Sequence, residues 1–291
     1  MGGKMSKLLK ELDDILLKIL ESNNYSINEI SKDTDKFNDV LFHYLNLLKR
    51  QFKMEKIKKI AFSNELKKKL RFDSKQNIVV HKIKKEMING NSLLPYTSTL
   101  TNSVKDKKKR NELDKLLSDW GIFHFHLGVL NKGDKYSGRT GALLFVYVQG
   151  ERAYFLDILT HNDFTNHQLL EIIYNNWKEI LKKFALKELI SCKKNKAIEI
   201  RKKNSIALYT VNDLTIFPLG GGFNSYGSSI ILFDFCDRIK RWIIEIEKDL
   251  NEKKIEKFEL INRDDELFIN LEDNLYQLPL NIIPESRKIW I

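Results

Sequence analysis

Three histidines and one arginine within forty residues are the side chains of this sequence best suited to acid–base chemistry. His124 and His126 are separated by one residue in the apolar run IFHFHLGVL, Arg139 ends the polar loop that follows, and His161 comes after a later apolar run. Residues two apart in a strand point to the same face, so we expect His124 and His126 to emerge together. Imidazole titrates near neutrality and guanidinium binds phosphate oxygens through paired donors. The pattern predicts a proton-transfer and anion-binding site.

Two β-rich runs place Arg139 and His161 relative to each other. The runs ALLFVYV (142–148) and AYFLDIL (153–159) are joined by the short segment 149–152, which is typical of a hairpin. In a hairpin the start of the first strand lies beside the end of the second. We therefore expect Arg139 and His161 at adjacent strand ends, facing the same cleft as at least one of His124 and His126.

This set of side chains suits cleavage of RNA without a metal. The reaction needs a base for the 2′-hydroxyl, an acid for the leaving 5′-oxygen and cations for the charged transition state. We expect His161 and one of His124 and His126 to be the acid and base, with Arg139 on the phosphate. Lys135 and Tyr136, in the loop before Arg139, would support phosphate binding.

Other readings of the same residues stay open. The three histidines, with Asp163 nearby, are also compatible with a divalent metal, but the spacing is not that of a zinc motif. The loop LGGGFNSYGSS (219–229) matches neither a nucleotide P-loop nor a dinucleotide fingerprint. We therefore predict no cofactor and no metal. The histidines would be packed structural residues if the protein only binds nucleic acid.

The charge of the chain predicts an anionic partner. The 291 residues carry a formal net charge of +11, and the segment 50–85 has thirteen Lys and Arg against three acidic residues. Phe52, Phe62 and Phe72 lie among these cations, a mixture that suits a phosphate backbone with exposed bases. The phenylalanines, ten residues apart, are expected to face the core, which leaves the lysines as a solvated face. The residues predicted to bind nucleic acid are Lys67, Lys68, Lys69, Lys107, Lys108, Lys109, Lys135 and Tyr136.

The compartment follows from the cysteines and the apolar runs. The two cysteines, Cys192 and Cys236, have no CxxC context, which favours a reducing compartment. No apolar run approaches the roughly 20 residues of a membrane-spanning helix. We expect a cytoplasmic protein that does not bind membranes.

The hairpin segment resembles a known family of ribonucleases. RTGALLFVYVQGERAYFLDILTHNDF (139–164) is similar to the paired strands of RelE-type toxins: an arginine, an apolar strand, a short turn, and a strand of the type Y-x-L-D-I-x-x-H ending at His161. The resemblance implies a small antiparallel sheet with helices on one face, and metal-free RNA cleavage in toxin–antitoxin or abortive-infection systems. It extends to Arg139 and His161 and not to the pair His124 and His126.

Together these observations predict an α+β protein. We expect a basic helical region at 1–85, a RelE-like α+β core at 86–186, and a C-terminal α+β extension at 187–291. The predicted function is a metal-independent endoribonuclease of the toxin–antitoxin or phage-defence type, with RNA, at the ribosome or free, and an antitoxin protein as partners. The alternatives are a non-catalytic nucleic-acid-binding or antitoxin-like regulatory protein, and a metal-dependent nuclease that uses the same histidines.

Overall fold

The described part of the chain combines helices with three separate β-sheets. The computed structural model describes residues 7–23, 36–50, 57–98, 115–160, 168–186, 208–222, 229–252, 258–263, 266–271 and 274–277. The helices are α1 (Lys7–Ser22), α2 (Lys36–Arg50), α3 (Asn64–Phe72), α4 (Ser74–Asn89), α5 (Lys115–Trp120), α6 (Gln168–Lys182) and α7 (Ile230–Glu252). The strands are β1 (Lys59–Phe62), β2 (Ile122–His126), β3 (Ala142–Gln149), β4 (Arg152–Thr160), β5 (Tyr209–Val211), β6 (Leu214–Ile216), β7 (Phe258–Arg263), β8 (Glu266–Leu271) and β9 (Asn274–Gln277). The predicted α+β class is confirmed.

The central sheet has four strands in the order β1-β4-β3-β2. Strands β2, β3 and β4 are antiparallel neighbours, as the alternating apolar runs predicted. Gly150, at φ +55°, lies in the tight turn between β3 and β4, where its missing Cβ relieves the strain of a left-handed backbone. The fourth strand, β1, joins the edge parallel to β4, with Lys59 opposite Arg152 and Phe62 opposite Phe155. The sheet is therefore mixed, whereas the sequence predicted an antiparallel one.

Both faces of this sheet are covered, whereas helices were predicted on one face only. Alternate residues of each strand supply two different cores, because successive side chains point to opposite faces. One core, which we call the α6 core, joins Leu143, Phe145 and Leu156 to α6 and to the β5–β6 hairpin. The other, the α4 core, joins Leu144, Val146 and Phe155 to α3, α4 and the 3₁₀ turn Leu94–Tyr96. Strand β1 and helices α3 and α4, which form this second layer, come from the region that was predicted to be helical and separate from the sheet.

The predicted boundaries between regions do not follow these cores. The boundary between residues 85 and 86 falls inside α4, whose apolar residues pack under the central sheet. A third core is shared by α1 and α2 with α7, although α7 belongs to the predicted C-terminal extension. Cross-contacts of this kind join residues far apart in sequence, and the local pattern of the chain does not contain them. Strands β7, β8 and β9 form their own antiparallel meander.

Helix α3 is attached to an irregularity in β4. The β3–β4 register shifts between Phe145 and Val146, which face Asp157 and Phe155, so Leu156 is an extra residue in β4. Ser63, the N-cap of α3, donates its hydroxyl to the Leu156 carbonyl and accepts the backbone N–H of Leu66 at 2.9 Å. One side chain thus caps the helix and holds it to the bulge.

A second attachment lies one residue beyond the bulge. Lys69 Nζ of α3 is 2.8 Å from Asp157 Oδ2 and 2.7 Å from the Ile158 carbonyl oxygen. The other carboxylate oxygen of Asp157 accepts the Ile158 backbone N–H at 2.8 Å. The Asp157 side chain is only 3% exposed, so its charge depends on these donors. Lys69, predicted to bind nucleic acid, is instead a structural partner of β4.

We predict that Lys69→Met destabilises the fold by about 1–3 kcal/mol, because the Asp157 carboxylate then stays buried without its cation. The estimate lies below that for a fully buried pair since the Lys69 side chain is 44% exposed. Urea denaturation measures the loss. Lys68→Met, which removes an exposed neighbouring lysine, is the control and should change the free energy of unfolding by less than about 0.5 kcal/mol. Equal losses in the two variants would contradict a structural role for the ion pair.

Candidate functional site

His124 and His126 lie on one face of β2, as predicted. They alternate with Phe123 and Phe125, which pack into the α4 core on the opposite face. His124 is paired with Phe145 across the sheet, its ring 6.4 Å from the Phe145 ring, and His126 is paired with Leu143. Both histidines therefore point to the face that carries the α6 core. His126 is only 2% exposed, so a bound RNA does not reach it in this structure.

The loop between β2 and β3 is folded against the opposite face. Leu127 and Leu130 pack with the α4 core, and the backbone N–H of Ser137 donates to the Pro95 carbonyl at 2.8 Å. The two ends of the loop meet where the Gly138 N–H donates to the Val129 carbonyl at 3.0 Å. Gly128 and Gly138 approach so closely that a Cβ on Gly128 would lie 1.8 Å from the Gly138 carbonyl oxygen. The loop is a compact structure pinned at its base.

The loop and the residue that follows its base carry three cations. Lys132, Lys135 and Arg139 are exposed, and the Lys135 ammonium lies 5.8 Å from the centre of the Tyr136 ring. The one acidic residue of the loop, Asp134, accepts the side-chain amide of Asn131 at 3.0 Å and its backbone N–H at 3.3 Å. The loop thus presents three positive charges and one carboxylate that is already hydrogen-bonded. We call Lys132, Lys135 and Arg139 the loop cations.

The end of β4 lies beside the start of β3. Thr160, the last residue of β4, pairs with Ala142, the first residue of β3, so the chain leaves β4 beside the segment that carries Arg139. His161 itself lies outside the described residues, as do Lys107, Lys108 and Lys109. Arg139, Lys135 and Tyr136 share one loop. The predicted convergence of the histidine pair with this loop is not seen, because His124 and His126 point to the other face of the sheet.

One residue of the basic segment lies on the surface and not, as had been predicted, in the core. Phe72, expected in the core, is 90% exposed at the end of α3. Phe62 does face the core, where its ring stacks on Phe155 at 5.0 Å, and Phe52 lies outside the described residues. Helical spacing contains the missed signal: Leu66 and Leu70 are the buried stripe of α3, and a residue two after Leu70 is turned about 200° away from it.

The exposed cations of α3 surround Phe72. Lys67, Lys68 and Arg71 are exposed on α3, and Lys75 is exposed on the first turn of α4. The acidic residues nearby are engaged: Glu65 accepts the Asn176 side-chain amide at 2.7 Å, and Asp73 caps α4 by accepting the Gln76 N–H at 2.9 Å. We call Lys67, Lys68, Arg71, Phe72 and Lys75 the basic helix face.

One titratable cluster and one cysteine outside these surfaces have structural explanations. Tyr174 donates to Asp213 at 2.6 Å and accepts from Lys178 at 2.6 Å, which joins α6 to the turn between β5 and β6. These bonds raise the pKa of Lys178 and lower the pKa of Asp213, so both stay charged. Burial raises the pKa of the Cys236 thiol, which is thereby kept protonated and unreactive.

Metal ligands and membrane spans were sought in the same part of the chain. Among the described residues, no three His, Cys, Asp or Glu side chains come together as a metal site. None of the helices described is both long and apolar enough to cross a bilayer.

Comparison with known proteins assigns no family. No family model matches the chain, and no solved structure matches it. Reticulocyte-binding protein homolog 1 of Plasmodium falciparum (isolate 3D7) is 29% identical over 137 residues, which cover 44% of this chain and 4% of that protein. The chain thus corresponds to a small fraction of that relative's length. The RelE-type resemblance of residues 139–164 stays a prediction.

We predict that Gly128→Ala opens the loop and destabilises the protein by about 1–3 kcal/mol, because its methyl group would overlap the Gly138 carbonyl. Gly138→Ala is a matched control, since a Cβ there lies 3.7 Å or more from its neighbours. Urea denaturation and limited proteolysis within the loop measure the two effects. Equal stability and equal cleavage of the two variants would show that the close approach does not hold the loop.

Proposed function

We propose that this protein binds single-stranded RNA through the basic helix face, in the cytoplasm. The observation that carries the proposal is Phe72, which is 90% exposed and has Lys68, Arg71 and Lys75 as neighbours in sequence. An exposed phenylalanine contributes nothing to the core and exposes a large apolar ring to water. Stacking an unpaired base on that ring recovers this cost, while the adjacent cations neutralise phosphates.

The neighbouring acidic groups favour an anionic ligand. Glu65, Asp73 and Asp157 already accept hydrogen bonds from protein donors, so they compete weakly for the cations of the basic helix face. Lys69 is excluded from the contact set because Asp157 and the Ile158 carbonyl hold its ammonium. A single strand is favoured over a duplex, since a ring projecting from a helix end can stack only on a base that is not paired within a helix.

Phe72→Ala should weaken binding of a single-stranded oligouridine by about 1–3 kcal/mol, the usual effect of removing one stacking partner. Phe72→Tyr keeps the ring and should bind like the parent chain. Fluorescence anisotropy at fixed salt measures both, with a blunt RNA duplex as the comparison ligand. Because Phe72 is exposed, the folded state should tolerate either change. Unaltered binding by Phe72→Ala, or equal loss for duplex and single strand, would refute stacking.

Metal-independent cleavage of the bound RNA is the second candidate function. It is supported by the register that sets Thr160 beside Ala142, because Arg139 precedes β3 closely and His161 follows β4 directly. In this proposal Arg139 binds the scissile phosphate, His161 takes the proton of the 2′-hydroxyl, and water protonates the leaving 5′-oxygen. His124 has no direct role, because it points to the other face of the sheet. His126 has no direct role, since it is buried. An endoribonuclease of this kind would serve as a toxin or in phage defence, with an antitoxin protein to restrain it.

We predict that the purified protein cleaves RNA in EDTA and leaves 2′,3′-cyclic phosphate ends. His161→Ala should lower the cleavage rate by about 10²–10⁴-fold and leave RNA binding unchanged, because a positioned acid or base acts on the chemical step. His81→Ala, which removes an exposed histidine of α4, is the control for loss of an imidazole. Cleavage that needs added Mn²⁺ or Zn²⁺ would favour the metal-dependent alternative, and binding without any cleavage would favour a binding protein.

A further inference from the structure

Helix α3 and the loop that carries the loop cations lie at the same end of the central sheet. Strand β1 runs parallel to β4, so α3, which follows β1, continues toward the end of β4. Strand β3 runs antiparallel to β4, so the loop that precedes β3 also lies at the end of β4. Lys69 of α3 bonds to the carbonyl of Ile158, and Ile158 is itself paired with Leu144 of β3.

The two basic segments also pack on the same face of the sheet. Leu66 and Leu70 of α3 are buried in the α4 core, and Leu130 of the loop packs against that core. Ser137 of the loop donates its backbone N–H to Pro95, in the 3₁₀ turn that follows α4. The loop and the α3–α4 pair are therefore neighbours, not surfaces on opposite sides of the molecule.

We propose that the basic helix face and the loop cations form one track for a single RNA strand across the end of β4. The inference rests on the proposed RNA binding and extends it to a second contact region. Adjacent strands are about 4.8 Å apart, so β1 and β3 are separated by about 10 Å across β4. This distance is within the reach of one short oligonucleotide, since single-strand sites commonly take about 4–16 nucleotides.

The chemistry of the two ends of the track is the same. Each combines an aromatic ring with several cations: Phe72 with the lysines of α3, and Tyr136 with Lys135 and Lys132. The carboxylates that border the track, Asp73, Asp134 and Asp157, are each hydrogen-bonded within the protein. Between the ends lies the Asp157–Lys69 pair, in which the acidic charge is already neutralised. A polyanion crossing from α3 to the loop therefore meets no unpaired carboxylate among these three.

Three double variants test the track against oligouridines of about 4 and about 16 nucleotides, the limits of common site sizes. The helix variant is Lys67→Gln with Lys68→Gln, and the loop variant is Lys132→Gln with Lys135→Gln. Lys10→Gln with Lys18→Gln, on exposed positions of α1, is the control that removes the same charge elsewhere. Anisotropy titrations over a range of salt concentrations give the slope of log affinity against log salt.

For the long oligouridine, we expect the helix and loop variants each to reduce the magnitude of that negative slope by about 1.4, at about 0.7 per lost phosphate contact. The control should leave the slope unchanged. The parent chain should bind the long oligouridine more tightly than the short one, and the loop variant should lose most of this gain. Thermal unfolding checks that each variant is folded. We expect this because all the substituted residues lie on the surface.

The outcomes separate the track from the proposed function. If the loop variant keeps the salt dependence of the control while the helix variant shows a weaker one, the track is overturned. RNA binding on α3 then stands. A helix variant that behaves like the control overturns both proposals, whatever the loop variant does. Equal affinity of the parent chain for the two oligouridines would also overturn the track, because a strand long enough to reach both contact regions should bind more tightly.

Discussion

The attachment of α3 to the bulge of β4 is the constraint on which the arrangement of this molecule depends. Ser63 and Lys69, six residues apart, donate to the carbonyls of Leu156 and Ile158, on either side of Asp157. A regular strand would present alternate groups at even spacing, but the bulge turns Asp157 toward α3, where the lysine neutralises it. The helix that carries the exposed cations is thereby fixed to the strand that ends beside Arg139.

Burial divides the candidate chemistry between two surfaces. The histidines of β2 belong to the face covered by α6, and His126 is buried there. The cations of α3 and of the loop belong to the face covered by α4, where they remain in water. A buried imidazole and an exposed guanidinium cannot act on the same phosphate without a rearrangement. The geometry thus supports binding more directly than it supports cleavage.

The net charge of +11 leaves some lysines without a neighbouring carboxylate, and the engagement of the carboxylates decides which ones. The carboxylates along the basic surfaces are engaged as helix caps, turn acceptors or ion-pair partners within the protein. Most lysines of α3 have no such engagement in the described structure and project into solvent. An exposed ion pair contributes little to stability, so these lysines remain available to an external anion at low energetic cost.

Local patterns were sufficient for the antiparallel part of the sheet and for the class of fold. Two β-rich apolar runs identified β3 and β4, the short connection identified their hairpin, and the spacing of His124 and His126 put them on one face. Each of these features depends on residues close in sequence.

Only the tertiary structure decided the place of β1 and the burial of His126. Strand β1 is four residues long within a basic segment, and it joins the sheet through pairing with β4, some ninety residues away. His126 is buried on the face of the sheet that packs against α6 and the β5–β6 hairpin. The sequence by itself determined which residues alternate and which carry charge. Long-range packing determined which of them reach solvent, because a side chain's burial depends on elements that are distant along the chain.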